Sequence, residues 1–209
     1  MANRIGVGIS STSWSAICLV LLGVLLWASL ATSASAGDNK STLRRGTANE
    51  LRSLDPQAVI GGSGGALLYE LFEGLVTEDQ SGKLVPGVSE SWSRSEDGMT
   101  YTFKLRPGLR WSDGVPITAE DFVYSWRRVV DPKNALRGAG TLFPVKNAVA
   151  ITQGQKAPES LGVKARDALT LEVSLETPAP YFTDILAGFP TAPVPRHVVE
   201  KYGSSWTKP

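Results

Sequence analysis

Few side chains in this sequence could carry covalent chemistry. His197 is the only histidine and Cys18 the only cysteine. A histidine-based metal site or a catalytic triad needs partners that these counts do not supply. His197 is therefore read as a surface residue at a helix start. Glu120 and Asp121 are adjacent carboxylates, but consecutive helical residues point about 100° apart, so the two do not converge on one proton. Their place in the first turn of a helix accounts for both. The serines, tyrosines and tryptophans lack an ordered nucleophile–base pair. The glycine run Gly61-Gly62-Ser63-Gly64-Gly65 remains. It lacks the Gly-Lys-[Ser/Thr] ending of a phosphate loop, since Ala66-Leu67-Leu68 follows. Two readings stand for it: a flexible turn before a helix, or a backbone that must approach a ligand closely, which the missing Cβ permits. Either way the chemistry left to this chain is recognition, not catalysis.

The composition agrees. A chain with 42% hydrophobic and 20% charged residues can build an ordinary core. A formal charge of +1 gives no basic excess for nucleic acid and no polybasic run for an anionic membrane. The first 36 residues differ from the rest. Arg4 precedes an apolar run, Ile17 to Leu30, and Ala34-Ser35-Ala36 fits the small-x-small cleavage rule. At about 14 residues the run falls short of the roughly 20 that span a bilayer. Residues 1–36 are thus expected to be a cleaved secretory signal, with Gly37 the mature start. Cys18 sits inside the apolar run, badly placed for lipidation at the cleavage site. Without Arg4, 20 basic and 20 acidic residues remain. The expected mature protein is neutral and cysteine-free, with no disulfide or thiolate metal site, which suits a bacterial periplasm.

The elements that would position a recognition surface follow from periodicity. Thr42 to Thr47 can form a short strand, stopped by Leu54-Asp55-Pro56. Ala66 to Leu75 has Leu67, Leu68, Leu71, Phe72 and Leu75 at helical spacing, with Gly74 marking its end. A hairpin follows, turning at Asp79 to Gly82. Val88 to Trp92 is a short half-apolar segment. In Thr100 to Arg106, Tyr101, Phe103 and Leu105 alternate with Thr102, Lys104 and Arg106, the period of a half-buried strand. Thr118 is an N-cap candidate, its hydroxyl accepting from a free N–H of the first turn. Phe122, Val123, Trp126, Val129 and Val130 form one helical face, Arg127 and Arg128 lie at the favourable end of the dipole, and Asp131-Pro132 ends the helix. Residues 133–146 read as a loop and 148–154 as a short helix. A second hairpin, turning at Arg166-Asp167, carries the apolar face Leu169, Leu171, Val173 and Leu175. Short helices are expected at Tyr181 to Ala187 and Arg196 to Tyr202, with a proline-rich extended piece between them. The stretch Ser91 to Arg128 holds three of the six tryptophans, Trp92, Trp111 and Trp126. Tryptophans so placed are more often core than ligand platform.

Several of these segments carry a resemblance. Thr42-Leu43-Arg44-Arg45-Gly46, Ser53-Leu54-Asp55-Pro56, Leu71-Phe72-Glu73-Gly74-Leu75 and above all Ser91 to Arg128 resemble the extracytoplasmic solute-binding proteins of peptide ABC transporters, solute-binding protein family 5. Leu161 to Ala165, Pro178 to Phe182, Pro193-Val194-Pro195 and Val199 to Gly203 with Trp206-Thr207 are most like the oligopeptide-binding branch. The resemblance covers the chain from about Ser41 to Pro209. It implies an α+β (mixed α/β) fold of the type II periplasmic binding protein kind, in which two lobes close on a ligand. After the signal, 37–72 would begin lobe I, 73–196 would be the family's middle domain, and 197–209 would return toward lobe I. It further implies a peptide bound extended through main-chain hydrogen bonds, as in strand addition. Carried onto this sequence, the backbone edge falls at Ile60, Gly61, Gly62 and Ser63, which favours the close-approach reading of the glycine run. The oligopeptide branch often has an acidic residue where Ile60 stands.

Family members are more than twice as long. The chain is therefore expected to be an N-terminal portion, lacking the opposing lobe and the acidic residue that anchors the peptide amine, and to bind weakly or not at all by itself. Apolar faces left without partners would then be exposed. The implied partners are a peptide ligand and an inner-membrane permease with its ATPase subunits; no nucleic acid, no cofactor and a monomeric state are expected, in the periplasm. Alternatives are a different solute (nickel, haem or sugar), though one histidine and no mature cysteine disfavour direct metal ligation, and an exported hydrolase, for which no nucleophile–base pair is visible.

Overall fold

Alternation of apolar and polar residues in Thr100–Leu105 builds the centre of the molecule. In the computed structural model this segment is strand β4 of a four-stranded antiparallel sheet in the order β3-β4-β6-β5, with β3 Ser89–Arg94, β5 Val163–Asp167 and β6 Thr170–Ser174. The structure describes Gly46, residues 53–59 and residues 62–208, without the side chains of Gly62 and Ser63. Residues 47–209 group as one compact unit. The expected signal, Cys18 and most of the expected strand at 42–47 lie outside the described residues. Among those described, no helix is long and apolar enough to cross a membrane.

The register places Tyr101 opposite Val173, Phe103 opposite Leu171, and Trp92 opposite Phe103. Tyr101, Phe103, Leu105, Leu171 and Val173 are buried on the face covered by helix α2, Ala119–Val130. (The helix before the sheet, Gly62–Leu71, is α1; β1 is Val76–Glu78 and β2 Leu84–Pro86.) The opposite face is polar. There Glu172 is bridged by Lys164 at 3.0 Å and Arg166 at 2.5 Å, and Lys104 Nζ donates to Thr170 Oγ1 at 2.6 Å. One covered and one solvated face is the common state of an antiparallel sheet.

Helix α2 supplies the core's largest side chain. Trp126 is fully buried, meets Phe122 and Phe182 edge-on at 6.5 and 6.4 Å between ring centroids, and donates from Nε1 to Thr191 O at 2.8 Å. A buried indole needs such an acceptor. At the helix start the Asp121 carboxylate accepts from the Thr118 N–H at 2.8 Å and from its hydroxyl at 3.1 Å. The expected cap residue is right, but Thr118 serves as donor to Asp121 as well. Glu120 is exposed and points elsewhere, as the divergence of adjacent helical residues requires. Three short helices follow: α3 Ala148–Thr152, α4 Phe182–Ile185 and α5 Arg196–Tyr202.

Three expectations need correction. The first helix starts at Gly62 and ends at Leu71, not at 66 and 75. Gly64 and Gly65 are buried, so packing outweighs the poor helical propensity of glycine. Leu75 belongs instead to the core beside β1. The segment at 88–92 is longer, reaching Arg94, because it pairs with β4 along its length. In the second hairpin β5 runs through Arg166 and Asp167, with a bulge between Ala165 and Asp167, and the turn falls later.

The small β1–β2 sheet joins the large one at a crossing where two glycines meet. A Cβ on Gly74 would lie 2.2 Å from Leu186 O, and one on Gly87 would lie 2.6 Å from Gly74 O. The Val88 N–H donates to Gly74 O at 2.9 Å across this point. Gly74→Ala is expected to lower unfolding stability by about 1–3 kcal/mol, the usual cost of overpacking. Urea denaturation of the two proteins measures it; an unchanged midpoint would contradict the crossing.

A second prediction concerns pH. The ring of His197, at the start of α5, donates to Asp113 Oδ2 at 2.5 Å, both side chains being half exposed. That bond first, and the Val115 N–H second, hold the Asp113 carboxyl below its ordinary value of 3.8. A folded value below the unfolded one gives stability that is complete above the unfolded value and is lost as pH falls through the folded one. Asp113→Asn should therefore flatten part of the decline in thermal midpoint between about pH 5 and about pH 2, measured by calorimetry across that range.

Candidate functional site

The Leu-Asp-Pro segment leads directly into the glycine run, and it is held by charge. Asp55 and Gln57 are buried. Asp55 Oδ2 accepts from Arg128 Nη2 at 2.6 Å and from Trp206 Nε1 at 3.0 Å, and Oδ1 accepts from the Gln57 N–H at 3.0 Å. Arg128 Nη1 also donates to Gln57 Oε1 at 2.5 Å, while Gln57 Nε2 donates to Ser125 O at 2.7 Å. The Gly138 N–H donates to Gln57 O at 3.0 Å. The Arg128 and Asp55 side chains are 12% and 9% exposed, so this pair is desolvated and well bonded rather than a surface contact. Arg128 lies in the last turn of α2, as its position in the sequence implies, and its guanidinium also fixes Asp55 and Gln57 against that helix.

Of the residues expected to form the ligand edge, Ile60 and Gly61 lie outside the described residues. Gly62 and Ser63 open helix α1, with nothing described of their side chains. The structure brings Gly65 against the chain's distant half. A Cβ on Gly65 would lie 3.3 Å from Phe189 Cε1. Phe189 meets Tyr69 edge-on at 5.1 Å and 86°. These contacts flank an open groove of about 790 Å³ that runs along α1, with Phe189, Pro190 and Ile185 as its apolar wall. Tyr69, 60% exposed, stands at its rim, and Glu78 and Asp184 also line it. Phe189, Glu78 and Asp184 were not expected at the site. Their separation in sequence from the glycine run leaves no local signal for their meeting.

Two other grooves are less suited to an extended chain. One, about 640 Å³, lies between Tyr124, Arg127 and Arg196 and mixes both signs of charge. Burial raises the Tyr124 phenol, and Arg196 lies 5.4 Å over its ring. The other, about 520 Å³, is apolar and includes Trp111 and Trp206. Trp126 is core as expected, Trp92 packs at the core's margin, and Trp111 faces this groove. Among the described residues no three His, Cys, Asp or Glu side chains could together hold a metal ion.

Comparison with known proteins places this geometry. The profile of the bacterial extracellular solute-binding proteins, family 5 Middle, matches residues 83–209. The chain is 50% identical over 159 residues to the probable deoxycholate-binding periplasmic protein YgiS of Escherichia coli K12, covering 75% of this chain and 30% of YgiS. It is 42% identical over 205 residues to the periplasmic oligopeptide-binding protein OppA of Salmonella typhimurium LT2, covering 95% of this chain and 38% of that protein. Haemophilus influenzae OppA, solved in complex with the peptide RPPGFSPFR, superposes with a TM-score of 0.72 at 44% identity over 75% of this chain and 31% of that one. The fold is thus mixed α/β, shared with type II periplasmic binding proteins. The chain spans about a third of the length of these relatives.

Removal of the Arg128 charge should reveal how the edge is held. Arg128→Met leaves the Asp55 carboxylate buried without its cation and is expected to cost about 3–5 kcal/mol. Adding Asp55→Asn should recover a large part of that loss. Urea unfolding of both variants measures the coupling; full additivity of the two changes would show that the pair is not a unit.

Proposed function

Because this chain belongs to the bacterial extracellular solute-binding proteins of family 5, we propose that it acts in the periplasm as part of the peptide-binding component of an ABC importer. In this reading the leader at 1–36 is cleaved on export. The segment at Ile60 to Ser63 offers backbone N–H and C=O groups to an extended peptide, and an inner-membrane permease with its ATPase subunits receives the ligand. The division into lobe I (37–72), middle domain (73–196) and returning segment (197–209) belongs to the same reading, as does a monomeric state. The protein binds and delivers; it does not cleave.

The observation that carries this is the anchored entry to the glycine helix. Asp55, Gln57 and Arg128 hold residues 55–57 against α2, and Gly65 lets α1 run close beside Phe189 and its groove. A rigid support ahead of a side-chain-poor backbone suits main-chain recognition, which reads any sequence in extended form. The peptide-bound OppA structure supports the choice of ligand. The name of YgiS suggests a second solute, deoxycholate. That amphiphile is a carboxylate, and in this chain it would meet Glu78 and Asp184 in the groove, so a peptide is the favoured ligand.

The test uses ¹⁵N-labelled protein and short alanine-rich peptides. Amide shifts should appear at 59–65 and along the groove. They should saturate on the order of millimolar concentration, about −4 kcal/mol, the affinity expected of one edge alone. The same peptides methylated on their backbone nitrogens should fail to produce them, and no peptide should be hydrolysed. Equal binding of methylated peptides would overturn main-chain recognition, and turnover would overturn a binding role.

A further inference from the structure

We propose that the groove beside helix α1 is a subsite for a basic side chain of the bound peptide, lysine or arginine. This inference deepens the peptide-binding reading and rests on it.

The shape and the charge of the groove both point to such a group. Its wall is apolar, formed by Ile185, Phe189 and Pro190, with Phe189 only 5% exposed at the base. Lysine and arginine lay their aliphatic stems on surfaces of this kind while keeping the charged head in water. The rim supplies the matching partners. Glu78 and Asp184 are both exposed there. Among the described residues neither carboxylate has an ion-pair or hydrogen-bond partner, and no residue lining the groove is basic. Four other carboxylates are already engaged: Glu172 by two cations, Asp55 by Arg128, Glu73 by Arg106 and Glu200 by Arg196. The third partner is the Tyr69 ring, held edge-on by Phe189 and 60% exposed at the same rim. Its face is open to a cation, a contact of about 0.5–1 kcal/mol at an exposed site. An acidic side chain would meet two like charges, and a purely apolar one would use the wall and leave both carboxylates unmatched.

Two exposed carboxylates can discriminate only modestly, because solvent screens them. The expected preference for lysine over its uncharged isostere norleucine is about five- to tenfold in affinity.

The experiment titrates ¹⁵N-labelled full-length chain with four alanine-based tetrapeptide sets carrying lysine, arginine, norleucine or glutamate at each position in turn. Lysine and arginine peptides should bind about five- to tenfold more tightly than norleucine peptides at one position, and glutamate peptides more weakly than either. The gain should be confined to amides near Glu78 and Asp184 to Gly188, and should shrink with added salt. Glu78→Gln with Asp184→Asn should abolish the preference, bringing lysine and arginine peptides to the affinity of norleucine peptides. Both side chains are exposed, so folding is not at stake, and an unchanged thermal midpoint checks this. Equal affinity for lysine and norleucine, or a preference that survives the double variant, overturns the subsite and leaves the peptide reading standing. Deoxycholate shifting the groove amides more strongly than any peptide overturns it too. Absence of any peptide-induced shift at 59–65 overturns both.

Discussion

Residue 55 puts a carboxylate inside the protein, where it can remain charged only if it is matched. Arg128 matches it, and Gln57 and Trp206 take up the remaining bonding capacity. Desolvating such a pair consumes most of what the attraction returns, so its value lies less in net stability than in position. The pair decides where the Leu-Asp-Pro segment sits on helix α2, and hence where the glycine helix begins and which distant residues it faces. Helix α2 can bear this role because it is itself immobilised: Trp126 is locked between Phe122 and Phe182 and bonded to Thr191. Core packing fixes the helix, the helix fixes the guanidinium, and the guanidinium fixes the chain that leads to the site.

Local regularity was legible in the sequence, and long-range meeting was not. The alternation in Thr100–Leu105, the capped helix at Ala119–Val130 and the first hairpin appear where period and turn residues put them, because neighbours in sequence decide them. The first helix was misjudged because glycine propensity argued against a helical start at 62–65, whereas there Gly65 packs closely on Phe189. Arg128 stands in the last turn of its helix as expected, but nothing local reveals Asp55 as its partner 73 residues away. The expectation of a ligand edge at residues 60–63 came from the family resemblance alone. The groove beside α1 could not be read in this way, since Glu78, Asp184 and Phe189 come from three separate segments.

The sheet separates its duties by face. Its covered side holds the aromatic core with α2, while the polar side carries Lys164, Arg166 and Glu172. The bulges in β3 and β5 fall on the two outer strands, where they break the regular pairing surface that would otherwise template another chain.

The bond from Trp206 to Asp55 joins residues 151 positions apart. It makes the intervening chain a loop tied at a neck. The length-dependent entropy of closing such a loop is about 4 kcal/mol, which must be offset by contacts already formed inside it. Asp55 thus clasps two distant parts of the chain at once, Arg128 of helix α2 and Trp206 near the end of the described residues, so the Leu-Asp-Pro segment is held from both sides.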